Sequence, residues 1–344
     1  MNPNDAAREG RRAFVRLDPD GRRFPCAPGQ TILAAALAAG IDLPYECASG
    51  SCGSCRARLV DGAVLALWPD APGLSERDRR KGDRILCCQS IVQGDCVVQA
   101  RPGDAAPRVF PSTLRARVLG LNALNRDVLH LVLQAETGAA FQPGQFMLFS
   151  LHGGVGRRAY SMSNLADGTG RLEFIVKRKP DGRASAVLFD ELKVGDWLEL
   201  DGPYGRAHLR EESEREIVLL AGGSGLAPVW SIAQGALKRS PRARIRLYFG
   251  VNRGEDLFWL EQIERTRLAH PGLEVQVVVM HASPHDPPGV RQGAVSDVMS
   301  RDVDDLAACD LYMAGPPGLV DHVLRDIVAG KRAQADRVFF DRFC

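Results

Sequence analysis

The stretch CASGSCGSC, residues 47–55, carries three cysteines in a C-x4-C-x2-C spacing, and a fourth candidate follows at Cys87 or Cys88. Four thiolates in this order are typical of the ligands of a [2Fe–2S] cluster. Gly50 and Gly53 allow the backbone to curl with positive φ, so that N–H groups can point at sulfur. A buried, charged cluster needs such donors. The three ligands predicted within the stretch are Cys47, Cys52 and Cys55.

Two other uses of these cysteines remain open at this point. A structural zinc site favours paired C-x2-C or Cys/His knuckles, and the Cys87–Cys88 doublet is not such a pair. Disulfides are typical of small secreted domains, whereas this chain has 344 residues. The spacing alone does not choose between Cys87 and Cys88.

Size and composition indicate a globular protein of two or three domains. The chain is 45% hydrophobic and 25% charged, with a net charge of +2, which gives no sign of nucleic-acid or membrane binding. The polar start has no secretory signal, and the apolar run 32–41 is half the length needed to span a bilayer. We therefore expect a cytoplasmic protein, in a compartment where thiolates stay reduced.

The first hundred residues predict a small mixed sheet with the cluster at its edge. Residues 13–17 alternate apolar and polar before the turn at 18–21, which indicates a hairpin. Thr31 is a plausible N-cap of a helix that ends at Gly40. Further strands are predicted at 56–59 and 96–99. The charged run 76–84 is read as a solvated helix end, with docking of a partner as the alternative.

Residues 101–112 contain three prolines and a glycine without apolar periodicity, which predicts a linker. Short runs with Gly/Pro punctuation follow up to residue 201 and favour an antiparallel barrel with one helix at 185–192. The strands predicted for this barrel are 128–133, 145–150, 172–176 and 197–200.

From residue 216 onward strands and helices alternate, which predicts a doubly wound parallel sheet. The predicted strands are 217–220, 245–249, 275–279 and 310–313. The predicted helices are 229–238, 257–268, 294–299 and 319–328.

The motif RAYSMSN, residues 158–164, suits a flavin site. On a strand, Tyr160 could lie against an isoalloxazine ring, Arg158 balance phosphate charge and Ser161 hydrogen-bond the flavin edge; chance strand residues are the alternative. The segment 182–185 opens the barrel's helix, where free N–H groups favour an anion.

A nucleotide site is predicted in the last domain. The loop GGSGLAP, 222–228, lies between a strand and a helix, where Gly223, Ser224 and Gly225 would let a pyrophosphate approach the backbone. After the second strand, Glu255 and Asp256 could bind a ribose and would repel a 2′-phosphate, which favours NADH. Arg253 favours NADPH instead.

The combination LPYECASGSCGSC and ILCCQ resembles plant-type ferredoxin domains. The resemblance implies a β-grasp fold and Cys88, beside Gln89, as the fourth ligand. RAYS, GRAS and GPYG together resemble the ferredoxin–NADP⁺ reductase superfamily, whose barrel carries FAD; FMN is the minor alternative. The positions implied to bind FAD are Arg158, Ala159, Tyr160, Ser161, Ile175, Val176, Lys177, Gly182, Arg183, Ala184 and Ser185.

The segment AGPPG, 314–318, departs from the C-G-P-P usual in that superfamily, because Ala314 replaces the cysteine. Gly315 and Pro316 are implied to lie at the nicotinamide. Positioning carries most of a hydride transfer, so alanine is tolerable. In the tail VFFDRFC, the resemblance implies that Phe343 covers the flavin face, with a final buried strand as the other reading. Tyr160, Ser161 and Phe343 are the residues predicted at the reacting centre.

RAYSMSN, LWPDAPGLSERD, AGPP and the FDRF tail together resemble the NADH-dependent reductases of bacterial multicomponent oxygenases, toluene monooxygenase reductases above all. The resemblance implies electron flow from NADH through FAD and [2Fe–2S] to the hydroxylase component or a Rieske or ferredoxin carrier. A diiron monooxygenase partner is favoured, and a Rieske-type dioxygenase partner is the alternative. A non-catalytic redox sensor or electron carrier is the remote alternative. We expect a monomer.

The implied architecture has three domains and one linker. They are, in chain order, a β-grasp ferredoxin domain (1–103), the linker (104–112), a six-stranded antiparallel FAD barrel (113–211) and a doubly wound NAD(H) domain with the aromatic tail (212–344).

Overall fold

The computed structural model describes residues 12–103, 108–152 and 156–343. They form one five-stranded sheet, two six-stranded sheets and a two-stranded ribbon. The longest α-helix described there has 14 residues, and none is long and apolar enough to cross a bilayer.

The first domain is a small mixed sheet of order β2-β1-β7-β3-β5, with β4 and β6 as a separate ribbon. The predicted hairpin pairs β1 with β2, and Thr31 caps the first helix by accepting from the Ala34 N–H at 3.2 Å. Within the charged run 76–84, residues Glu76–Lys81 form a short helix with no buried residue. This agrees with the prediction that the run is a helix end exposed to solvent. The elements are β1 (Ala13–Asp18), β2 (Arg23–Cys26), α1 (Ile32–Ala38), β3 (Arg56–Asp61), β4 (Val64–Ala66), α2 (Glu76–Lys81), β5 (Arg84–Leu86), β6 (Ser90–Val92) and β7 (Cys96–Gln99).

The second domain is an antiparallel barrel of order β11-β10-β13-β8-β9-β12, closed by a bridge between Met162 and Phe174. Its first strand already includes Ser112, which the sequence places in the linker. The helix begins at Arg183, two residues before its predicted start, and continues as a π-helical turn, Val187–Glu191. The elements are β8 (Ser112–Ala123), β9 (Val128–Ala135), β10 (Phe146–Leu151), β11 (Gly156–Ser161), β12 (Arg171–Lys177), α3 (Arg183–Ala186) and β13 (Trp197–Tyr204).

The third domain is an all-parallel sheet of order β17-β16-β15-β14-β18-β19. The helix predicted from 257 starts at Leu260, because Trp259 has a left-handed backbone (φ 58°). The helix predicted at 319–328 splits into α7 and a π-helical turn, Val323–Ile327. The elements are β14 (Glu216–Gly222), α4 (Leu226–Arg239), β15 (Ile245–Val251), α5 (Leu260–Ala269), β16 (Leu273–Val279), β17 (Arg291–Gln292), α6 (Val295–Asp302), β18 (Cys309–Gly315), α7 (Pro317–His322) and β19 (Val338–Arg342).

The strand order places β14 beside β18 at the centre of this sheet, with connections that leave in opposite directions. In open parallel sheets, ligands bind at the carboxyl ends of the strands where the order reverses. The GGSGLAP loop follows β14 and the AGPPG segment follows β18. Both nucleotide motifs therefore meet at the switch point of the sheet.

The first two domains share one hydrophobic core. Phe146, Leu148 and Tyr204 of the barrel belong to the core that fills the first domain. Tyr45 accepts a hydrogen bond from the Gly205 N–H at 3.0 Å, in a buried setting. The loop that leads into the cysteine stretch is therefore held directly against the barrel.

Candidate active site

A cleft of about 1020 Å³ opens where the three domains meet. One wall is the cysteine loop, with Cys47, Ser49 and Ser51; a second is the barrel, through β11, β12 and the segment 182–185. The third wall is formed by the carboxyl ends of β14 and β15, the segment after β18 and the C-terminal tail. Residues predicted for three different cofactors thus face a single space.

The four predicted cluster cysteines form two sulfur pairs. Cys55 Sγ lies 3.2 Å from Cys88 Sγ. In the other pair, the Cys52 N–H donates to Cys47 Sγ at 3.4 Å, and a side-chain hydrogen bond with Cys52 lowers the pKa of Cys47 to about 6. Over the described residues, no three His, Cys, Asp or Glu side chains converge on one metal ion. Two pairs suit a binuclear cluster better than a single zinc ion.

The cysteine loop also directs polar hydrogens at sulfur. The Ser54 N–H donates to Cys52 Sγ at 3.5 Å, and the Gln89 amide donates to Cys88 Sγ at 3.8 Å. Gly50 and Gly53 adopt φ of 93° and 79°. These donors fit the negative charge that cluster ligands carry, as the sequence predicts.

Cys88 is better placed than Cys87 to be the fourth ligand, because its Sγ lies 3.2 Å from Cys55 Sγ. The side chain of Cys87 is buried in the core of the first domain, and its N–H donates to the Cys55 carbonyl at 3.1 Å. The three remaining described cysteines are buried and unpaired, which agrees with their reading as small apolar side chains; they are Cys26, Cys96 and Cys309.

Strand β11 contributes Arg158, Ala159, Tyr160 and Ser161 to the cleft. Tyr160 packs on Phe149 with ring centroids 4.8 Å apart. Burial raises the pKa of Tyr160 to about 12, so its phenol is neutral at physiological pH. This wall therefore offers an aromatic side chain, a hydroxyl and a guanidinium.

Neighbouring strand β12 contributes Ile175 and Lys177, and Lys177 Nζ pairs with Asp127 at 3.3 Å. Val176, also predicted to bind the cofactor, does not line the cleft. Alternate side chains of a strand point to opposite faces, and Val176 is fully buried in the barrel core.

The segment 182–185 lines the cleft in full. Within it, Ser185 Oγ accepts from the Lys179 N–H at 3.1 Å and donates to the Gly182 carbonyl at 2.9 Å. The hydroxyl is thus used to shape the loop. Backbone N–H groups of Arg183 and Ala184 are the donors this segment can offer to an anion.

In the nucleotide loop the glycines divide into two roles. Gly223 has φ 56° and open space where a Cβ would project, and Ser224 beside it lines the cleft. Gly225 does not line the cleft. It packs against the backbone of Ala314, and a Cβ on Gly225 would overlap the Ala314 carbonyl oxygen. Gly225 therefore serves sheet–helix packing rather than approach to a ligand.

The segment after β18 divides in the same way. Pro316 lines the cleft, whereas Gly315 packs against Gly222 with φ 152°. A Cβ on Gly315 would lie 3.2 Å from Gly222 backbone atoms. Of the two residues predicted at the nicotinamide, only Pro316 faces the cleft.

Glu255 and Asp256 lie outside the cleft, contrary to the ribose-binding prediction. Arg126 of the barrel pairs with Glu255 at 3.0 Å and with Asp256 at 3.2 Å. The Asn125 amide donates to the Asp256 carbonyl at 3.1 Å. The chain turns back after β15, so these carboxylates join two domains, and Asn252 is the residue of this turn that lines the cleft.

Sequence reasoning missed the contacts of the tail. Arg342 binds Glu46, next to Cys47, at 3.0 Å and Asp321 of α7 at 2.9 Å. Burial, with a further contribution from Glu46, raises the pKa of Asp341 to about 8. The tail is a strand, β19, and Phe343 follows it into the cleft with its N–H donating to the Gly315 carbonyl at 2.9 Å. The tail thus forms the final strand that one reading predicts, and the flavin-covering role of Phe343 stays a prediction.

Three family models match the chain in order. They are a 2Fe-2S iron-sulfur cluster binding domain over residues 15–93, an oxidoreductase FAD-binding domain over 116–209 and an oxidoreductase NAD-binding domain over 219–325. Together with the shared cleft, they define an NAD-linked oxidoreductase with flavin and iron–sulfur domains.

Curated relatives make the class more specific. The ferredoxin–NAD⁺ reductase component of the alkene monooxygenase system of Xanthobacter autotrophicus is 48% identical over 96% of this chain and 100% of its own length. The reductase component of the naphthalene 1,2-dioxygenase system of Pseudomonas putida is 30% identical over 89% of this chain and 91% of its own. The solved ferredoxin reductase of carbazole 1,9a-dioxygenase is 34% identical, with a TM-score of 0.86, over 97% of this chain and 99% of that one.

The chain belongs to the family of ferredoxin–NAD(P)⁺ reductase components of multicomponent oxygenases. The predicted fold, family and cofactor classes are confirmed. The predicted domain bounds remain predictions.

Proposed function

We propose that this chain oxidises NADH at FAD and delivers single electrons through its [2Fe–2S] cluster to the oxygenase side of a hydrocarbon-hydroxylating system, a diiron monooxygenase in the first place. When bound, FAD takes two electrons from NADH and releases them singly to the cluster. The observation that carries the proposal is the common cleft, which Cys47, Tyr160, Ser224 and Phe343 all line.

The barrel wall would hold the flavin. Tyr160 would lie against the ring system, Ser161 would hydrogen-bond its edge, and Arg158 would balance phosphate charge. The backbone N–H groups of 182–185 would hold the pyrophosphate. Lys177, paired with Asp127 at the cleft wall, would lie near the ribityl or phosphate groups.

The cleft arranges the cysteine loop, the barrel wall and the nucleotide loop around one space. Such positioning is most of what a hydride transfer requires of the protein. Phe343 would cover the flavin face and move aside for the nicotinamide. A Phe343→Ala variant should therefore change the rate of flavin reduction by NADH or the affinity for NADH, as measured by anaerobic stopped-flow absorbance. Unchanged values for both would contradict this role.

Cys47, Cys52, Cys55 and Cys88 would hold the cluster. Cys88→Ser should spare the NADH–ferricyanide activity, which flavin alone supports, and abolish cytochrome c reduction. The adjacent Cys87→Ser variant is the matched control and should keep both activities, since Cys88 is the cysteine whose Sγ lies beside Cys55 Sγ. Equal loss of both activities in Cys88→Ser would contradict the cluster assignment.

The whole electron path is tested by anaerobic titration of the purified protein with NADH. Flavin bleaching in the visible spectrum together with a rhombic [2Fe–2S] EPR signal is the expected result. Flavin bleaching without the EPR signal would contradict the cluster assignment, and no bleaching would contradict the reductase function.

NADH is preferred to NADPH in this proposal. The relative from Xanthobacter is named a ferredoxin–NAD⁺ reductase, and the turn after β15 presents the neutral Asn252 to the cleft. Because Glu255 and Asp256 are held by Arg126, they are no longer the basis of the preference. The ratio of kcat/KM for the two nucleotides tests it, and a ratio favouring NADPH would reverse it.

The partner would be the hydroxylase component or a Rieske or ferredoxin carrier, and the naphthalene dioxygenase relative keeps a Rieske dioxygenase as the second candidate. We further propose a monomer in the cytoplasm; the eight described cysteines, all free, suit a reducing compartment. Analytical ultracentrifugation measures the oligomeric state. Reconstituted turnover with purified diiron or Rieske components distinguishes the two partners.

A further inference from the structure

One motif of the sequence, LWPD at 67–70, has no role in the site described so far. Its Trp68 belongs to the first domain but lies at the barrel: the guanidinium carbon of Arg158 is 5.1 Å from the centroid of the Trp68 ring. Trp68 is half-buried and packs against the core that the two domains share.

Trp68 is held in place by the cysteine loop. The Leu67 N–H donates to the carbonyl of Gln89, beside Cys88, at 2.8 Å. The Ala71 N–H donates to the Trp68 carbonyl at 3.1 Å, which forms a tight turn, and Gly73 N–H donates to the Gly50 carbonyl at 2.9 Å. The backbone on both sides of Trp68 is thus attached to the first domain, next to Cys88 on one side and in the cysteine loop on the other.

Within the barrel, the Arg158 side chain is held by a hydrogen bond to its neighbour in sequence. One guanidinium nitrogen donates to the carbonyl of the neighbouring Arg157 at 2.9 Å. Arg157 itself turns to the other face of the strand and pairs with Asp201 at 2.7 Å. A guanidinium binds an oxyanion best when its planar fork is already oriented, and an aromatic face orients it without using its N–H donors.

We propose that Trp68 is a positioning residue for FAD: the cluster domain completes the flavin site by stacking Trp68 on Arg158. This inference rests on the proposed role of Arg158 at the FAD phosphate. The flavin site is then shared between two domains. Retention of FAD depends on the first domain, although the family model for FAD binding matches only residues 116–209.

The test is FAD affinity of the deflavinated full-length protein, measured by isothermal titration calorimetry. Trp68→Ala should raise the FAD Kd by about 3- to 30-fold, the range of a partly desolvated cation–π contact. Trp68→Phe, which keeps an aromatic face and the core packing, should raise it less. Trp197→Ala is the matched control, because Trp197 stacks on Arg115 at 4.8 Å outside the cleft, and it should leave the Kd unchanged.

A double-mutant cycle separates positioning from general packing. Arg158→Ala removes the guanidinium that Trp68 would orient, so Trp68→Ala should add little to the Kd of Arg158→Ala. Additive effects, or a Trp68→Ala variant with wild-type Kd, would overturn the inference. If Arg158→Ala leaves the Kd unchanged, the assignment of Arg158 fails instead, and the proposed flavin site fails with it.

Discussion

Two glycine-rich loops face the cleft, and their glycines combine local curvature and close packing in different ways. In the cysteine loop, Gly50 and Gly53 both have positive φ, and both lie among the residues that carry the ligands. In the nucleotide loop only Gly223 has positive φ and open space, while Gly225 packs against β18. A ligand-binding loop thus needs glycine for two reasons, local curvature and close packing, and a sequence motif does not distinguish them.

The largest loss of stability is expected on substitution of Gly225. A Gly225→Ala methyl would overlap the Ala314 carbonyl and force β18 and α4 apart, which costs several times the ~1 kcal/mol of a helical glycine change. We expect little folded protein, or a large fall in Tm by calorimetry. Gly223→Ala is the contrast: the cost is the left-handed backbone, roughly 1–2 kcal/mol, and the KM for NADH should rise.

If Gly225→Ala is as stable as Gly223→Ala, the division of roles within the nucleotide loop is wrong.

The next effect concerns the cysteine loop. A Cβ at Gly53 would lie 2.7 Å from the Gly73 carbonyl oxygen, at φ 79°. Gly53→Ala should therefore displace the loop and reduce the iron and sulfide bound per chain. Gly82→Ala is the control, since Gly82 has a similar φ of 73° and nothing within 4 Å; it should cost roughly 1 kcal/mol and keep the full cluster content. Equal iron content in both variants would contradict the packing role of Gly53.

The smallest expected effect is on the pH dependence of thermal stability, through a histidine of the third domain. His322 of α7 bonds Asp326 at 2.8 Å and Asp297 of α6 at 3.1 Å, and these hydrogen bonds raise its pKa. Because the folded pKa lies above the unfolded value, the stabilisation is full below about pH 6.5 and is lost as pH rises through the folded pKa. His322→Gln should flatten the fall of Tm with pH in that range. An unaltered pH profile would show that the bridge contributes nothing.

Much of the site was predictable because it is local. Cys47, Cys52 and Cys55 are fixed by spacing within one loop, and Arg158, Tyr160 and Ser161 by adjacent positions on one strand. The structure departs from the sequence-based placement where packing with another element decides. Val176 faces the barrel core by strand alternation, and Glu255, predicted as a ribose ligand, pairs with Arg126 of another domain.

By itself the sequence determined the order of the three domains, the cluster ligand spacing and the two nucleotide motifs, since each depends on periodicity or spacing within a short segment. Only the tertiary structure decided how these parts share one cleft. Arg342 meets Glu46 across 296 positions, and Trp68 meets Arg158 across a domain boundary. Such contacts depend on how whole domains pack, and no local pattern of residues encodes them.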